Sequence, residues 1–447
     1  MRSRLSAGTQ SLASTLWFVP TLLVVCSAIL GVVLVEVSAQ IDPIVVPRWP
    51  RLFGGGAESA RGMLATIAGS MITVAGVTFS LTMLAVTQAS SQFTPRIHRS
   101  FMRDRTSQIV LGELAGVFTY CLVVLRTIRS DQSVFVPAVA VLAGLVLAIV
   151  GIGLLIYYLH HIASALQASS IIAHIADDTS LAIARVFAAA GDEPRSEPPQ
   201  ELVGLAPDAT WQPVLAERTG YVQRVDLSAL LAVAAEEQLI VRMDRGVGEF
   251  AASGTPLVSV SRSADLSPPL GRALNRAFTL GRHRAIEQDV SFGIGQLTEI
   301  ALKALSPGMN DPITAVTCVD YLVAVFIDLA SRREEPAWRA SDGTVRLIVA
   351  GPTFAGLVDS SFDEIRRAAA TQPIVLARLL EACRLIGEAT VDIERRCCLR
   401  RHVDRIEAEV AQQTLIDADR ADLARRIEVA RRALTECAPT RDAPIGP

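Results

Sequence analysis

Long runs without a charged residue dominate the first 160 positions of the chain. They cover 20 residues from Leu16 to Val35, 34 residues from Gly62 to Pro95 and 28 residues from Gln132 to Leu159. A fourth run, from Ser107 to Leu125, is interrupted only by Glu113. A helix needs roughly 20 apolar residues to cross a bilayer, so the pattern predicts a membrane α-helical bundle of four transmembrane helices. The predicted spans are about 16–37, 64–87, 107–127 and 135–159.

The pattern becomes amphipathic after Leu159 and then alternates, which predicts a soluble α+β region. We expect a juxtamembrane helix and linker at 160–199, a small β-rich subdomain at 200–265, a mostly helical subdomain at 266–436 and a disordered tail at 437–447. The β-rich part is similar to the small barrels of biotinyl and lipoyl carriers. It has no lysine to modify, so only the barrel-like shape is predicted. A continuous helix is expected over roughly 391–435.

Arginine placement predicts how the spans are oriented, because short cytoplasmic loops carry an excess of positive charge. The loop after the second span holds Arg96, Arg99, Arg103 and Arg105 against the single acid Asp104. With four spans, this loop places both termini in the cytoplasm and the protein in the inner (cytoplasmic) membrane. An alternative is that the first span is a cleaved signal peptide, but its apolar run is longer than such peptides usually have.

Composition narrows the range of functions. The chain is 51% hydrophobic, which suggests that part of it lies in lipid, and its net charge of −3 argues against binding nucleic acid. No nucleotide-binding, serine-hydrolase or zinc-protease motif is present. None of the seven cysteines forms a C-x-x-C pair. We therefore predict no cofactor and no metal site.

Polar residues inside the spans suggest one set of candidate sites. Glu113 is the only acid well inside a span, where a charge costs roughly 2.5–3.5 kcal/mol. It lies either at the interface or on a polar path. The second span carries four hydroxyl residues, which either line such a path or donate to carbonyl groups of their own helix. They are Thr73, Thr78, Ser80 and Thr82.

The densest polar motif of the soluble region suggests a second set. Ser306, Pro307 and Gly308 end one helix, and Asp311 followed by Pro312 is typical of the start of the next. One interpretation is that all these residues serve capping and turn chemistry. The alternative is a ligand or ion site at a helix N-terminus. Its candidate residues are Asn310, Asp311, Thr314, Lys303, Asp289 and Glu299.

Several of these motifs resemble a bacterial family of predicted membrane proteins, domain of unknown function 2254. The similar stretches are Phe79-Ser-Leu, Ser90 to Arg96, Leu111-Gly, Gly220-Tyr-Val-Gln and, above all, Ala304 to Ala315. Thr94 stands where the family pattern leads us to expect serine. The resemblance covers nearly the whole chain and implies a polytopic inner-membrane protein. It implies no activity and no catalytic residues.

Three functions remain open from the sequence. The first is a membrane-anchored sensor or scaffold whose cytosolic domain binds a small molecule, an ion or a protein. The second is a channel or transporter-like protein, which would need to form a homo-oligomer to enclose a pore. The third, an enzyme, is favoured least, because no nucleophile–base pair is evident. In each case the lipid bilayer is the one partner that we predict directly.

Overall fold

The computed structural model describes residues 17–46, 56–92, 104–129, 135–165, 167–187, 211–261, 267–286, 288–333 and 337–434. Most of the Arg96–Arg105 loop, the 191–199 linker, the tail and the residues before Trp17 lie outside this described part of the chain. The predictions made for those segments therefore stay predictions. The chain divides into two compact units, residues 1–170 and 171–447.

The described residues of the N-terminal unit form four long helices. They are α1 (Phe18–Val45), α2 (Ala57–Gln92), α3 (Arg105–Thr127) and α4 (Ala138–Ala165). Each is long and apolar enough to cross a membrane, and a fifth such helix lies in the C-terminal unit. The chain thus has several membrane-spanning candidates, as a multi-pass membrane protein requires.

Helix α3 packs against the other three helices of this unit. A Cβ atom added at Gly112 would lie 2.8 Å from the Cα of Pro20, and one at Gly116 would lie 2.5 Å from Ser27 Oγ. The two glycines therefore let α1 approach α3 closely, which is how helices associate where lipid provides no hydrophobic drive.

Polar groups of α1 cap the start of α4. The carboxylate of Asp42 accepts hydrogen bonds from the backbone amides of Ala138 at 2.7 Å and Val139 at 3.3 Å. Ser38 Oγ accepts from the amide of Ala140 at 3.1 Å. These bonds satisfy three of the amides that a helix leaves unpaired at its N-terminus. The polar side chains of Ser38 and Asp42 in an apolar helix therefore serve as caps of α4.

The C-terminal unit begins inside α5 (Ala168–Val186), at Ile171, and continues with two β-sheets and eight helices among the described residues. Its strands are β1 (Trp211–Leu215), β2 (Gly220–Val225), β3 (Val241–Met243), β4 (Phe250–Ala251), β5 (Pro256–Ser261), β6 (Phe278–Gly281), β7 (Trp338–Ser341) and β8 (Thr344–Ile348). Its further helices are α6 (Leu227–Glu236), α7 (Pro268–Arg276), α8 (Val290–Ala304), α9 (Pro312–Ala330), α10 (Phe354–Ala368), α11 (Pro373–Glu388), α12 (Ile393–Gln412) and α13 (Asp417–Ala433).

The strands form two sheets, and the predicted barrel-like subdomain is not confirmed. The larger sheet has the order β1-β5-β3-β8-β7, and the smaller one has the order β4-β2-β6. Strand β8 pairs in parallel with β3, with Val241 opposite Leu347. Strand β6 pairs with β2. Strands from both sides of the expected boundary at residue 265 therefore share the two sheets.

The helices α8 to α13 form a layered bundle whose centre is α9. Helix α9 packs against α8 and α11, and α10, α12 and α13 cover the remaining faces of these helices. Helix α9 is the fifth helix with the length and composition of a membrane span, which is one more than the sequence analysis expected. Its apolar residues are buried against the neighbouring helices of the bundle, among them Leu322 and Phe326.

The prediction of a single long helix over 391–435 is wrong, because the chain forms α12 and α13 with a break at residues 413–416. The break lets α13 fold back against α12 and α11. Its buried residues Leu423 and Ile427 are thereby removed from water, which a continuous helix would not achieve.

Arg395 connects α12 to the end of α9. Its Nη1 donates to the carbonyl oxygens of Ala330 and Arg332, both at 2.9 Å, and lies 3.4 Å from that of Leu329. The guanidinium also stacks over the ring of Phe354 at 5.1 Å. Arg395 is 7% exposed, so a buried cation here satisfies carbonyl groups that α9 leaves unpaired at its C-terminus.

Candidate functional site

The predicted polar path in α2 consists of hydroxyl groups that donate to their own helix. Thr73, Thr78, Ser80 and Thr82 each donate to the carbonyl oxygen four residues earlier, at 2.8–2.9 Å. Thr78 and Thr82 are buried, whereas Thr73 and Ser80 are exposed. The four hydroxyl groups therefore lie on different faces of α2 and do not converge within one chain.

Thr82 of α2 and Glu113 of α3 differ in whether they have a hydrogen-bond partner on another helix. Thr82 Oγ1 lies 2.5 Å from Tyr158 Oη of α4, so this pair joins α2 to α4. Glu113 Oε1 is buried and has no hydrogen-bond partner among the described residues. The role of Glu113 in a polar path remains a prediction.

The structure separates the residues of the second predicted site. Asp289 is the N-cap of α8, whereas Asp311 follows the end of the same helix and caps α9. A 15-residue helix is about 22 Å long, so these two carboxylates do not share a ligand. Glu299 and the exposed Lys303 lie between them on α8.

Local hydrogen bonds occupy both carboxylates. Asp311 accepts from the amide of Thr314 at 3.1 Å and from its hydroxyl at 2.6 Å. These bonds from Thr314 hold the pKa of Asp311 below its usual value. Asn310 adopts a positive φ of 46° and its side chain accepts from Gln372 at 3.2 Å. A ligand at this turn remains a prediction, and the geometry of the turn is that of a helix cap.

Asp289 belongs to a buried ionic cluster. Arg284 donates to both of its carboxylate oxygens, at 2.7 and 2.8 Å, and Ser291 donates to one of them at 2.7 Å. The amide of Phe292 adds a fourth bond at 3.0 Å. With its acceptor sites occupied in this way, Asp289 stabilises the start of α8.

A different cluster, between α10 and α12, brings together carboxylate, thiol and imidazole side chains, which are the groups that bind ligands and metal ions. Asp359 and Asp363 lie on α10, and Cys398 and His402 lie on α12. One carboxylate oxygen of Asp359, the Cys398 sulfur and a ring nitrogen of His402 all lie within 4.8 Å of one another. We call Asp359, Asp363, Cys398 and His402 the α10–α12 cluster.

His402 is the most deeply buried member, with a side-chain exposure of 1%. Its Nε2 lies 2.8 Å from Asp359 Oδ1, and its Nδ1 lies 3.6 Å from Asp363 Oδ1. The first pair is close, yet Nε2 makes no aligned hydrogen bond. Burial lowers the pKa of His402, although the two carboxylates act in the opposite direction.

Two arginines of α12 compensate the acids of the cluster. Arg405 Nη1 lies 2.6 Å from Asp363 and 3.1 Å from Asp359. Arg401 Nη2 lies 3.5 Å from Asp359 and 3.6 Å from the sulfur of Cys398. Burial raises the pKa of Cys398 to about 11, so its thiol is protonated at neutral pH unless a ligand displaces the proton.

The α10–α12 cluster is not predicted by the sequence pattern, although half of its signal is visible there. Cys398 and His402 are four residues apart, which places them one turn apart on the same face of a helix. The third donor, Asp359, comes from another helix 39 residues before Cys398, and the pattern of α10 does not single it out. The sequence therefore shows that Cys398 and His402 are paired, whereas the proximity of Asp359 is visible only in the folded structure.

Comparison with known proteins gives a family and no activity. The family model described as "Predicted membrane protein (DUF2254)" matches residues 13–384. Uncharacterized proteins of Mycobacterium bovis and Mycobacterium tuberculosis are each 32% identical over 457 residues, covering 98% of this chain and 85% of the relative. No solved structure matches. By its motifs, its apolar helices and this match, the chain belongs to the family of predicted membrane proteins called DUF2254.

Proposed function

We propose that this protein is a membrane-anchored sensor, in which four helices form the anchor and the C-terminal unit binds a ligand at the α10–α12 cluster. The carrying observation is His402, a buried ring whose Nε2 makes no aligned hydrogen bond while it faces acidic groups and a thiol. A buried polar group whose hydrogen bond is misaligned does not fully recover the free energy lost when it leaves water. A ligand that satisfies it offsets that cost.

The proposed anchor comprises α1 to α4, with α9 as a core helix of the soluble region. Support comes from Asp320 in the middle of α9, which forms an ion pair with Arg378 of α11. Helices α10 and α12 of the same bundle are rich in charge, as expected of helices in water. The arginines of the loop after α2 favour a cytoplasmic location for that loop, for both termini and for the C-terminal unit, with the protein in the inner membrane.

The α10–α12 cluster suits a sensor better than it suits a purely structural role. Its groups cap no helix: Asp392 caps α12 and Thr353 caps α10. The Asp359 side chain is 36% exposed, whereas those of Asp363 and His402 are at most 20% exposed. The cluster is therefore reachable from solvent on one side and buried on the other, as reversible ligand binding requires.

Peptide-resolved hydrogen exchange on the full chain in detergent micelles or nanodiscs tests this proposal. Ions and metabolites are added in turn, and a ligand is expected to slow exchange in the peptides of α10 and α12. The effect is expected to vanish in Asp359→Ala and to persist in Asp422→Ala, a matched surface acid on α13. Ligand-induced protection that survives Asp359→Ala would refute the location of the site.

A homo-oligomeric channel is the second candidate, favoured by one face of α2. Small residues recur there at alternating spacings of four and three as far as Ser80, with Thr87 seven residues further on, and all are exposed in the single chain. They are Gly62, Thr66, Gly69, Thr73, Gly76, Ser80 and Thr87. Such a face permits close helix contact between copies, and its hydroxyl groups would border a shared path. Ion flux in proteoliposomes that Thr73→Val reduces would support the channel, whereas a monomer without flux would exclude it.

A further inference from the structure

We propose that Asp359, Cys398 and His402 bind a divalent transition-metal ion, with zinc as the expected occupant. This inference deepens the proposed sensor function and rests on it, since it names the class of ligand that the α10–α12 cluster takes. A carboxylate oxygen, a thiolate sulfur and an imidazole nitrogen are all zinc ligands in proteins. Because one of the three is a soft sulfur, the set favours zinc over magnesium or calcium.

The spacing of the donors fits a three-residue metal site. Cys398 and His402 are one turn apart on α12, and Asp359 approaches from α10, so two rigid elements hold the ligands. The three donor atoms lie within 4.8 Å of one another. In a tetrahedral zinc site with bonds of about 2.0–2.3 Å, donors lie roughly 3.3–3.7 Å apart. The widest donor pair must therefore contract by at most about 1 Å, whereas His402 Nε2 and Asp359 Oδ1, now 2.8 Å apart, must separate by roughly 0.5 Å. Small changes in side-chain torsion angles supply both movements.

The orientation of His402 distinguishes a shared ion from a simple ion pair. Nε2 and Asp359 Oδ1 are 2.8 Å apart without an aligned hydrogen bond. A separation of 2.8 Å is a hydrogen-bond distance, but a hydrogen-bonded donor also points at its acceptor, and this ring nitrogen does not. A metal ion bound to both atoms satisfies the buried nitrogen and removes the mismatch.

Asp363 supplies the outer group that metal-binding histidines usually have. Its Oδ1 lies 3.6 Å from Nδ1 of His402 and is itself buried without a hydrogen bond. A small rotation of the ring lets Nδ1–H donate to this oxygen. A carboxylate that accepts from the second ring nitrogen fixes the tautomer in which Nε2 is free to bind the metal.

An ionic network without a metal is the competing account. In that account Arg405 pairs with Asp359 and Asp363, and the charges of the cluster balance. It leaves His402 Nε2 buried without an aligned hydrogen bond, and it leaves Asp363 Oδ1 with Arg366 Nε at 3.6 Å but no hydrogen bond. Burial of polar groups in this state is unfavourable. The metal account satisfies both atoms. It also keeps one coordination position toward the exposed side of Asp359 for water or a further ligand.

Cobalt substitution in the full-length, detergent-solubilised protein tests the site. The purified protein is treated with a chelator and titrated with Co²⁺, and then with Zn²⁺ as competitor. One ion per chain is expected, with the near-ultraviolet absorption of a thiolate–cobalt bond, which Zn²⁺ abolishes and excess Mg²⁺ leaves unchanged.

The vicinal cysteines of α12 provide a matched pair of variants. Cys398→Ser is expected to lose the thiolate–cobalt absorption and to weaken Zn²⁺ binding by at least about 100-fold. Cys397→Ser should bind like the wild type, because Cys397 is not among the three donors. Asp363→Asn is expected to weaken Zn²⁺ binding about 10- to 100-fold while the absorption persists. Protection of the Cys383 thiol confirms that each variant is folded.

Three outcomes decide between the two proposals. The metal site is overturned if the folded wild-type protein binds neither Co²⁺ nor Zn²⁺. It is also overturned if Cys397→Ser and Cys398→Ser weaken Zn²⁺ binding equally. If another ligand then protects α10 and α12 in a manner that depends on Asp359, the sensor proposal stands alone. If Zn²⁺ binds but leaves hydrogen exchange in α10 and α12 unchanged, and no other ligand slows it, the metal site holds and the sensor proposal fails.

Discussion

Replacement of Arg395 is expected to destabilise the helical bundle of the C-terminal unit strongly. In Arg395→Ala the carbonyl oxygens of Ala330 and Arg332 each lose a donor at 2.9 Å. Hydrogen bonds to charged groups contribute about 1.5–3 kcal/mol each, and part of the loss is recovered by water that enters the space. We therefore expect a cost of about 3 kcal/mol, or roughly a hundredfold in the unfolding equilibrium.

The thiol of Cys383 provides the assay. Cys383 is fully buried on α11, which packs against α9 and α12. Its alkylation in the detergent-solubilised chain therefore reports how often the bundle opens, provided that labelling is slow relative to reclosing. Peptide-resolved mass spectrometry separates Cys383 from the exposed Cys26. Labelling is expected to be roughly 100-fold faster in Arg395→Ala than in the wild type.

Two further variants make the result interpretable. Arg395→Lys keeps the charge without the planar fork, so an intermediate loss of about 1–2 kcal/mol is expected. Arg425→Ala is the control, since that side chain is 71% exposed and ion pairs in water contribute little to stability. If Cys383 in Arg395→Ala is labelled within threefold of the wild-type rate, the capping role argued for Arg395 is refuted.

Three more substitutions follow from close contacts and caps. Gly293→Ala places a Cβ 2.0 Å from Thr179 Oγ1, so we expect the free energy of unfolding to fall by about 1–3 kcal/mol. Faster alkylation of Cys383 should report this loss, and adding Thr179→Ala should partly reverse it. Asp42→Ala removes the cap of α4 and should lower the melting temperature of the solubilised protein, equivalent to about 1–2 kcal/mol, with a smaller loss in Asp42→Asn. Asp311→Ala should cost about 1 kcal/mol at neutral pH. Because bonds from the side chain and backbone of Thr314 lower the folded pKa of Asp311 below 3.8, its stabilisation is present above that pH and lost as the pH falls through the lowered pKa, and the two melting temperatures should converge there.

Sequence pattern predicts the four long apolar helices of the N-terminal unit well, because a bilayer demands a long apolar run that few other structures need. Each of the four N-terminal helices extends past its predicted span at one end or both; α2, for example, runs from Ala57 to Gln92. Polar residues at the ends of a span are helical too, but a criterion based on hydropathy does not include them in the span. The same criterion selects α9, because a helix buried inside a protein bundle is as apolar as one in lipid.

The remaining features depend on tertiary contacts that periodicity does not encode. The break between α12 and α13 carries neither glycine nor proline, so the local signals for a helix end are missing. Strand β8 joins the sheet by pairing with β3, which is distant in the chain. The polar motif around Asn310 and Asp311 stands out in sequence as a dense set of turn residues, whereas Asp359 becomes notable only when α10 lies beside Cys398 and His402.

The parallel pairing of β3 with β8 has a consequence for how the protein is made. Val241 leaves the ribosome roughly 100 residues before Leu347, its partner. At about 5–20 residues per second this gap lasts on the order of 5–20 s. During that interval one edge of β3 is unpaired, and such an edge can pair with other nascent chains. Truncation before Thr344 makes the exposure permanent, so shortened forms of the C-terminal unit should aggregate in the cell, whereas chains that include β8 should not.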